Sequence, residues 1–148
     1  MPVLNSDGGN MFRRIMVPID LSDAGNPALL IAKRIAKQNN SQITLLHVIE
    51  KIEFLPSSET KNFYAQLKKT VVEKLRKVAN GLKSENKIHT KIILGNRAGS
   101  IVNYAIKNGI DLIVMNSHRV DLKEPTQGWG TISYKVAILS QCPVLLVK

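Results

Sequence analysis

Five short apolar runs, each separated from the next by a stretch of helical periodicity, constrain this 148-residue chain more than any other feature. They lie in Arg13 to Asp20, Gln42 to Glu50, Lys87 to Leu94, Asp111 to Met115 and Pro143 to Val147. Rich in Ile, Val and Leu, they read as strands buried on both faces. Ala28, Ile31, Ala32, Ile35 and Ala36 repeat at helical spacing, as do Leu67, Val71, Leu75, Val78 and Leu82. Helices are predicted from the Ser22, Asp23 and Asn26-Pro27 start signals to Asn39-Asn40, from about Glu59 to Lys83, from Gly99 to Asn108 and from Thr131 to Ser140. Strict β-α alternation predicts an α/β fold: one parallel sheet of five strands, helices on both faces, right-handed crossovers. In the order 3-2-1-4-5 the sheet reverses direction between the first and fourth strands, which sets Asp20 and Asn116 side by side at the mouth of one crevice.

No Gly-, Ser- or Pro-rich linker divides the chain. Met1 to Met11 reads as a disordered lead-in, Lys51 to Ser58 as a connection, and Phe12 to Lys148 as one domain. Cys142 is the sole cysteine, so no internal disulfide can form. The apolar runs are far shorter than the ~20 residues a membrane-spanning helix needs. No secretory signal is evident, so a cytoplasmic location is expected, without membrane attachment. Lys and Arg number 21 against 11 acidic residues, an excess that favours anionic partners. Much of it falls in one segment read as a surface helix (Lys61, Lys68, Lys69, Lys74, Arg76, Lys77, Lys83 and Lys87), where a solvated basic face explains it. Without aromatic residues between these lysines there is no platform for stacking bases, so nucleic acid is not the expected partner.

Chemistry concentrates in Asp111 to Thr131, which reads as strand, polar loop and helix start. Gly130 and Thr131 offer N–H groups at a helix N-terminus, where an anion such as phosphate is favoured. No Walker A loop is present, nor a Gly-x-Gly-x-x-Gly after the first strand, which disfavours a P-loop ATPase and a dinucleotide dehydrogenase. Ser117 and His118 are adjacent in a turn and lack a third orienting group, so catalysis is not expected. His47 and His89 lack companions at metal-ligand spacing. Trp129, between two glycines, is expected to pack and fix the loop.

Ile15-Met16-Val17-Pro18-Ile19-Asp20-Leu21-Ser22, Leu45-Leu46-His47-Val48, Ile113-Val114-Met115-Asn116-Ser117-His118 and Cys142-Pro143-Val144-Leu145-Leu146-Val147-Lys148 together resemble the universal stress protein family from Phe12 onwards. The resemblance implies a Rossmann-like sandwich that binds ATP, AMP or a related adenine nucleotide as a regulatory ligand, with Mg²⁺ as a companion to ATP. It implies site residues Pro18, Ile19, Asp20, Val48, Met115, Asn116, Ser117, His118, Arg119, Gly130, Thr131 and Ile132. Asp20 and Val48 would take the ribose and adenine end, while Asn116, Ser117, His118, Arg119, Gly130 and Thr131 would face the phosphates. It also implies a homodimer through Pro143 to Val147, an apolar edge strand.

The family's nucleotide-binding members carry Gly-x-x-Gly, nine residues, then Gly-Ser or Gly-Thr. Here Asn116 and Arg119 replace the glycines and ten residues precede Gly130-Thr131. Asn tolerates a left-handed backbone, so Asn116 is the milder change. Arg119 either blocks the backbone cradle or grips phosphate with its charged fork. Asp20 has two readings, a helix cap or a ligand contact. Two other functions compete: a dimeric scaffold that takes no nucleotide, and a weak ATPase or self-phosphorylating protein with Ser117, Thr131 or Ser133 as acceptor.

Overall fold

The computed structural model describes residues 11–22, 26–51, 57–82 and 85–148. The lead-in before Met11, the capping role of Asp23, most of the Lys51 to Ser58 connection, helix end Lys83 and the packing of the Trp129 side chain lie outside the described residues. Strands β1 (Arg14–Pro18), β2 (Gln42–Glu50), β3 (Ile88–Gly95), β4 (Leu112–Asn116) and β5 (Val144–Val147) alternate with α1 (Pro27–Asn39), α2 (Ser57–Gly81), α3 (Arg97–Lys107) and α4 (Ile132–Leu139). All pairings are parallel, as the alternation predicted, and the order is the expected β3-β2-β1-β4-β5.

Side-chain alternation divides the core into two layers. Ile15, Val17, Ile43, Leu45, Leu112 and Val114 face α1 and α2. Met16, Leu46, Val48, Ile113 and Met115 face α3 and α4. Ala28, Ala32 and Ala36 are fully buried, and their small side chains bring α1 close to the sheet. Asn26 caps α1 by accepting from the Leu29 N–H at 3.0 Å, with Pro27 in the first turn. Asn40 ends α1 in the left-handed conformation, its N–H returned to the Ala36 carbonyl.

Two boundaries differ from expectation. Helix α3 begins at Arg97 because Asn96 caps it, its Oδ1 accepting from Gly99 N at 3.0 Å. Gly99 therefore lies inside the first turn. A 3₁₀ helix, Pro125–Gly130, occupies part of the expected polar loop before α4.

Pro18 is what opens the sheet. Successive residues of a parallel strand aim their backbone groups at opposite neighbours. Ile19 N–H donates to the Leu46 carbonyl at 2.9 Å, on the β2 side. Pro18 therefore faces β4, to which its ring has no N–H to give. The β1–β4 ladder ends at Met16 and Ile113, whereas β4 continues beside β5 to Asn116 and Val147.

Candidate functional site

The gap beyond Met16 and Ile113 is the floor of a crevice of about 380 Å³ at the carboxyl ends of β1, β2 and β4. Its lining brings together ten of the twelve residues singled out by sequence: Pro18, Ile19, Asp20, Val48, Met115, Asn116, His118, Gly130, Thr131 and Ile132. Ser117 and Arg119 lie instead on a neighbouring cavity. Leu46, His47, Arg97, Ile101 and Ser133 also line the crevice and were not singled out as its ligand residues. Arg97 was missed because the helix was started two residues late; Asn96 followed by Arg97 was the available signal. The sequence reads His47 only against metal ligation; its Nδ1 lies 2.6 Å from the Ile19 carbonyl oxygen.

Each wall has a distinct local cause. Leu46 accepts from β1, so Val48, two residues on, turns its N–H and C=O to the same side, where β1 has already ended. Its buried side chain belongs to the core while its backbone edge borders the crevice. Leu21 adopts a left-handed φ of 61°, a costly choice for a residue with a Cβ. That turn returns the Ser22 N–H to Asp20 Oδ1 at 3.0 Å. The Ser22 backbone N–H holds the Asp20 carboxyl below the ordinary carboxylate range, its hydroxyl and the Arg97 charge adding to this, while partial burial opposes it. Asp20 stays ionised. It does not cap α1, a place taken by Asn26.

Asn116 corrects the sequence reading of its role. It is not among the left-handed residues, so conformational tolerance does not explain it. Its Oδ1 accepts from Ala28 N at 2.9 Å, and its Nδ2 donates to Asn26 Oδ1 at 3.0 Å. The side chain thus ties the end of β4 to the start of α1 across the switch point. Asn116→Ala is expected to cost about 1–2 kcal/mol, since it strips a partner from both the first turn and its cap. Asn116→Asp should recover part of that by keeping the acceptor. Urea denaturation of the three proteins checks the ranking.

The helix start at Thr131 also differs from expectation. Its N–H donates to Gly128 O at 3.2 Å, and its Oγ1 accepts from Tyr134 N at 3.3 Å, so the N–H is engaged within the turn. Gly130 has neither a left-handed φ nor any atom within 4 Å of the place a Cβ would take, so the fold itself does not demand a glycine there. Asp111 lies at the opposite, amino end of β4, where its carboxylate accepts from Arg13 N at 2.8 Å and Arg14 N at 3.0 Å. It has no part in the crevice.

A family model described as the universal stress protein family matches residues 11–148. The chain belongs to this family. A universal stress protein of Bacillus subtilis, YxiE, is 32% identical over 93% of the chain and 100% of its own length. Among solved structures, the universal stress protein UspA of Lactobacillus plantarum superposes with a TM-score of 0.77 at 22% identity, covering 93% of this chain and 99% of its own. A universal stress protein solved in complex with cAMP gives 0.68 at 20% identity, covering 93% and 97%. These structures share the fold of this universal stress protein. Among the described residues, no helix is long and apolar enough to cross a membrane.

Proposed function

We propose that this universal stress protein binds an adenine nucleotide, ATP or AMP, in the crevice as a regulatory ligand in the cytoplasm. The observation that carries the reading is the pairing of an ionised Asp20 with the backbone edge of Val48, unpaired with β1 among the described residues, in one opening at the switch point. A purine presents donors and acceptors along its edge that suit a strand backbone, and a ribose presents two hydroxyls that suit a carboxylate. Leu46, Ile101, Met115 and Ile132 supply apolar surface for the base and sugar. The cAMP complex of a family member gives the same class of ligand a precedent on this fold. Among the described residues Asp20 is the one acidic side chain in the lining, so Mg²⁺ would arrive with ATP, held through its phosphates.

The test is calorimetric titration with adenosine, which has no phosphate to titrate near neutrality. Because the Asp20 carboxyl is held below its ordinary range, it is charged at neutral and mildly acid pH. Adenosine affinity is expected to be flat from neutrality to mildly acid pH, because Asp20 does not change charge across that interval. The same group adds folding stability that is present above its unfolded-state pKa and lost as pH falls through the lower folded one. Absence of adenosine binding at neutral pH contradicts the assignment.

Assembly as a homodimer through Pro143 to Val147 belongs to the same proposal. Strand β5 is an edge of the sheet, and Leu145 on it is 39% exposed, with Ile138 and Leu139 of the adjoining α4 also exposed. Pairing with a two-fold copy covers both the unpaired backbone and these side chains. Leu145→Lys is expected to shift sedimentation at micromolar concentration from dimer to monomer. A monomeric wild-type protein overturns the proposal.

A further inference from the structure

The edge of the sheet opposite β5 is β3, a strand of eight residues against the four of β5. Ile43 N–H donates to the Lys87 carbonyl at 2.9 Å, and Ile43 stands in register with Ile88. Successive residues of a strand turn their backbone groups to opposite sides, so Lys87, His89, Lys91 and Ile93 address β2. Ile88, Thr90, Ile92 and Leu94 therefore point their N–H and C=O groups away from the sheet. Among the described residues nothing bonds to these groups. An unpaired edge of this length is a template for one more strand.

The side chains select which strand that is. Ile88 and Ile92 pack into the layer beneath α1 and α2, and Ile93 into the other layer. Lys87, His89 and Lys91 share the face of Ile93, and all three are exposed there. Lys87, grouped with the lysines of α2 in the sequence, thus stands at the start of β3 instead. The strand contains no acidic residue, and neither lysine has an ion-pair partner among the described residues. Two copies joined through β3 would set this basic row against itself, which like charge disfavours. An acidic strand meets the opposite situation. On the other face Leu94, 44% exposed, offers an apolar contact.

We propose that the β3 edge docks an extended acidic segment of a partner protein as a sixth strand. Its backbone pairs with Ile88, Thr90, Ile92 and Leu94, and its alternate Asp or Glu side chains lie beside Lys87, His89 and Lys91. Backbone bonds supply affinity in such an addition, and the alternate side chains supply selectivity. No β3 residue lines the crevice, so the site stands without the nucleotide reading.

The probe is a synthetic peptide of Glu-Val repeats, acetylated and amidated, with a Lys-Val peptide and a fully N-methylated Glu-Val peptide as controls. The Glu-Val peptide is expected to bind saturably and to slow amide exchange at Ile88, Thr90, Ile92 and Leu94. His89 and Lys91, whose N–H groups already face β2, should change little. Lys91→Glu is expected to weaken binding roughly three- to tenfold, and Lys87→Glu with Lys91→Glu by roughly tenfold or more. Both lysines are exposed, so folding is retained, which thermal melting verifies. Thr90→Pro removes one outward donor, leaves the β2 ladder intact and should also weaken binding. The Lys-Val and N-methylated peptides should not bind. Absence of saturable binding at millimolar peptide, equal binding of the N-methylated peptide, or exchange slowed only along α2 overturns the proposal.

Discussion

Asp20→Ala is expected to weaken adenosine and AMP binding by roughly 10- to 100-fold, the worth of one or two hydrogen bonds to a charged acceptor. Asp20 is exposed, and its role in the chain is the turn bond from Ser22 N at 3.0 Å, so the variant should fold and lose little stability. Loss of affinity at a nearly unchanged melting temperature is therefore the signature of ligand contact. Asp20→Asn retains an acceptor for Ser22 but not the charge, and should fall between the two proteins. Calorimetric titration of all three decides the point. Equal affinities would show that Asp20 only shapes the turn.

Ile113→Ala tests the frame that carries the site. Ile113 is fully buried in the layer beneath α3 and α4, on a central strand, paired with Met16 of β1 and Val144 of β5. Truncation removes three carbon atoms where neighbours on two strands cannot follow, and the expected cost is about 2–5 kcal/mol. Its position also marks the end of the β1–β4 ladder, the floor of the crevice. Ile113→Val removes one methyl(ene) group and should cost about 0.5–1.5 kcal/mol. Urea denaturation measures both. A loss below 1 kcal/mol for alanine would mean that the site can collapse and that the two-layer packing is looser than described.

The sheet was legible because its determinants are local and periodic: Ile15 to Val17, Leu45, Leu46 and Ile113 to Met115 are apolar on both faces, and that pattern has few other solutions. Pro18 was legible as a strand end, and the structure adds which neighbour it abandons. The crevice lining followed from the switch-point rule once the strand order was set. What escaped depends on contacts across the fold. Asn116 has no local partner to announce its bonds to Asn26 and Ala28, nearly ninety positions away. The 3₁₀ turn before Thr131 uses the N–H that the sequence appeared to offer an anion. Arg119, expected beside phosphates, lines a neighbouring cavity that shares Thr131 and Ser133 with the crevice.

Amide chemical shifts of the isotopically labelled protein, recorded while AMP is added, test the central claim most directly. An adenine nucleotide in the crevice predicts saturable shifts at Ile19, Asp20, Val48, Met115 and Ile132, which line it from the loop after β1 and from β2, β4 and α4, with Asp111 and β3 residues His89 to Lys91 unmoved. Shifts scattered along the lysines of α2, or none at millimolar AMP, would contradict it.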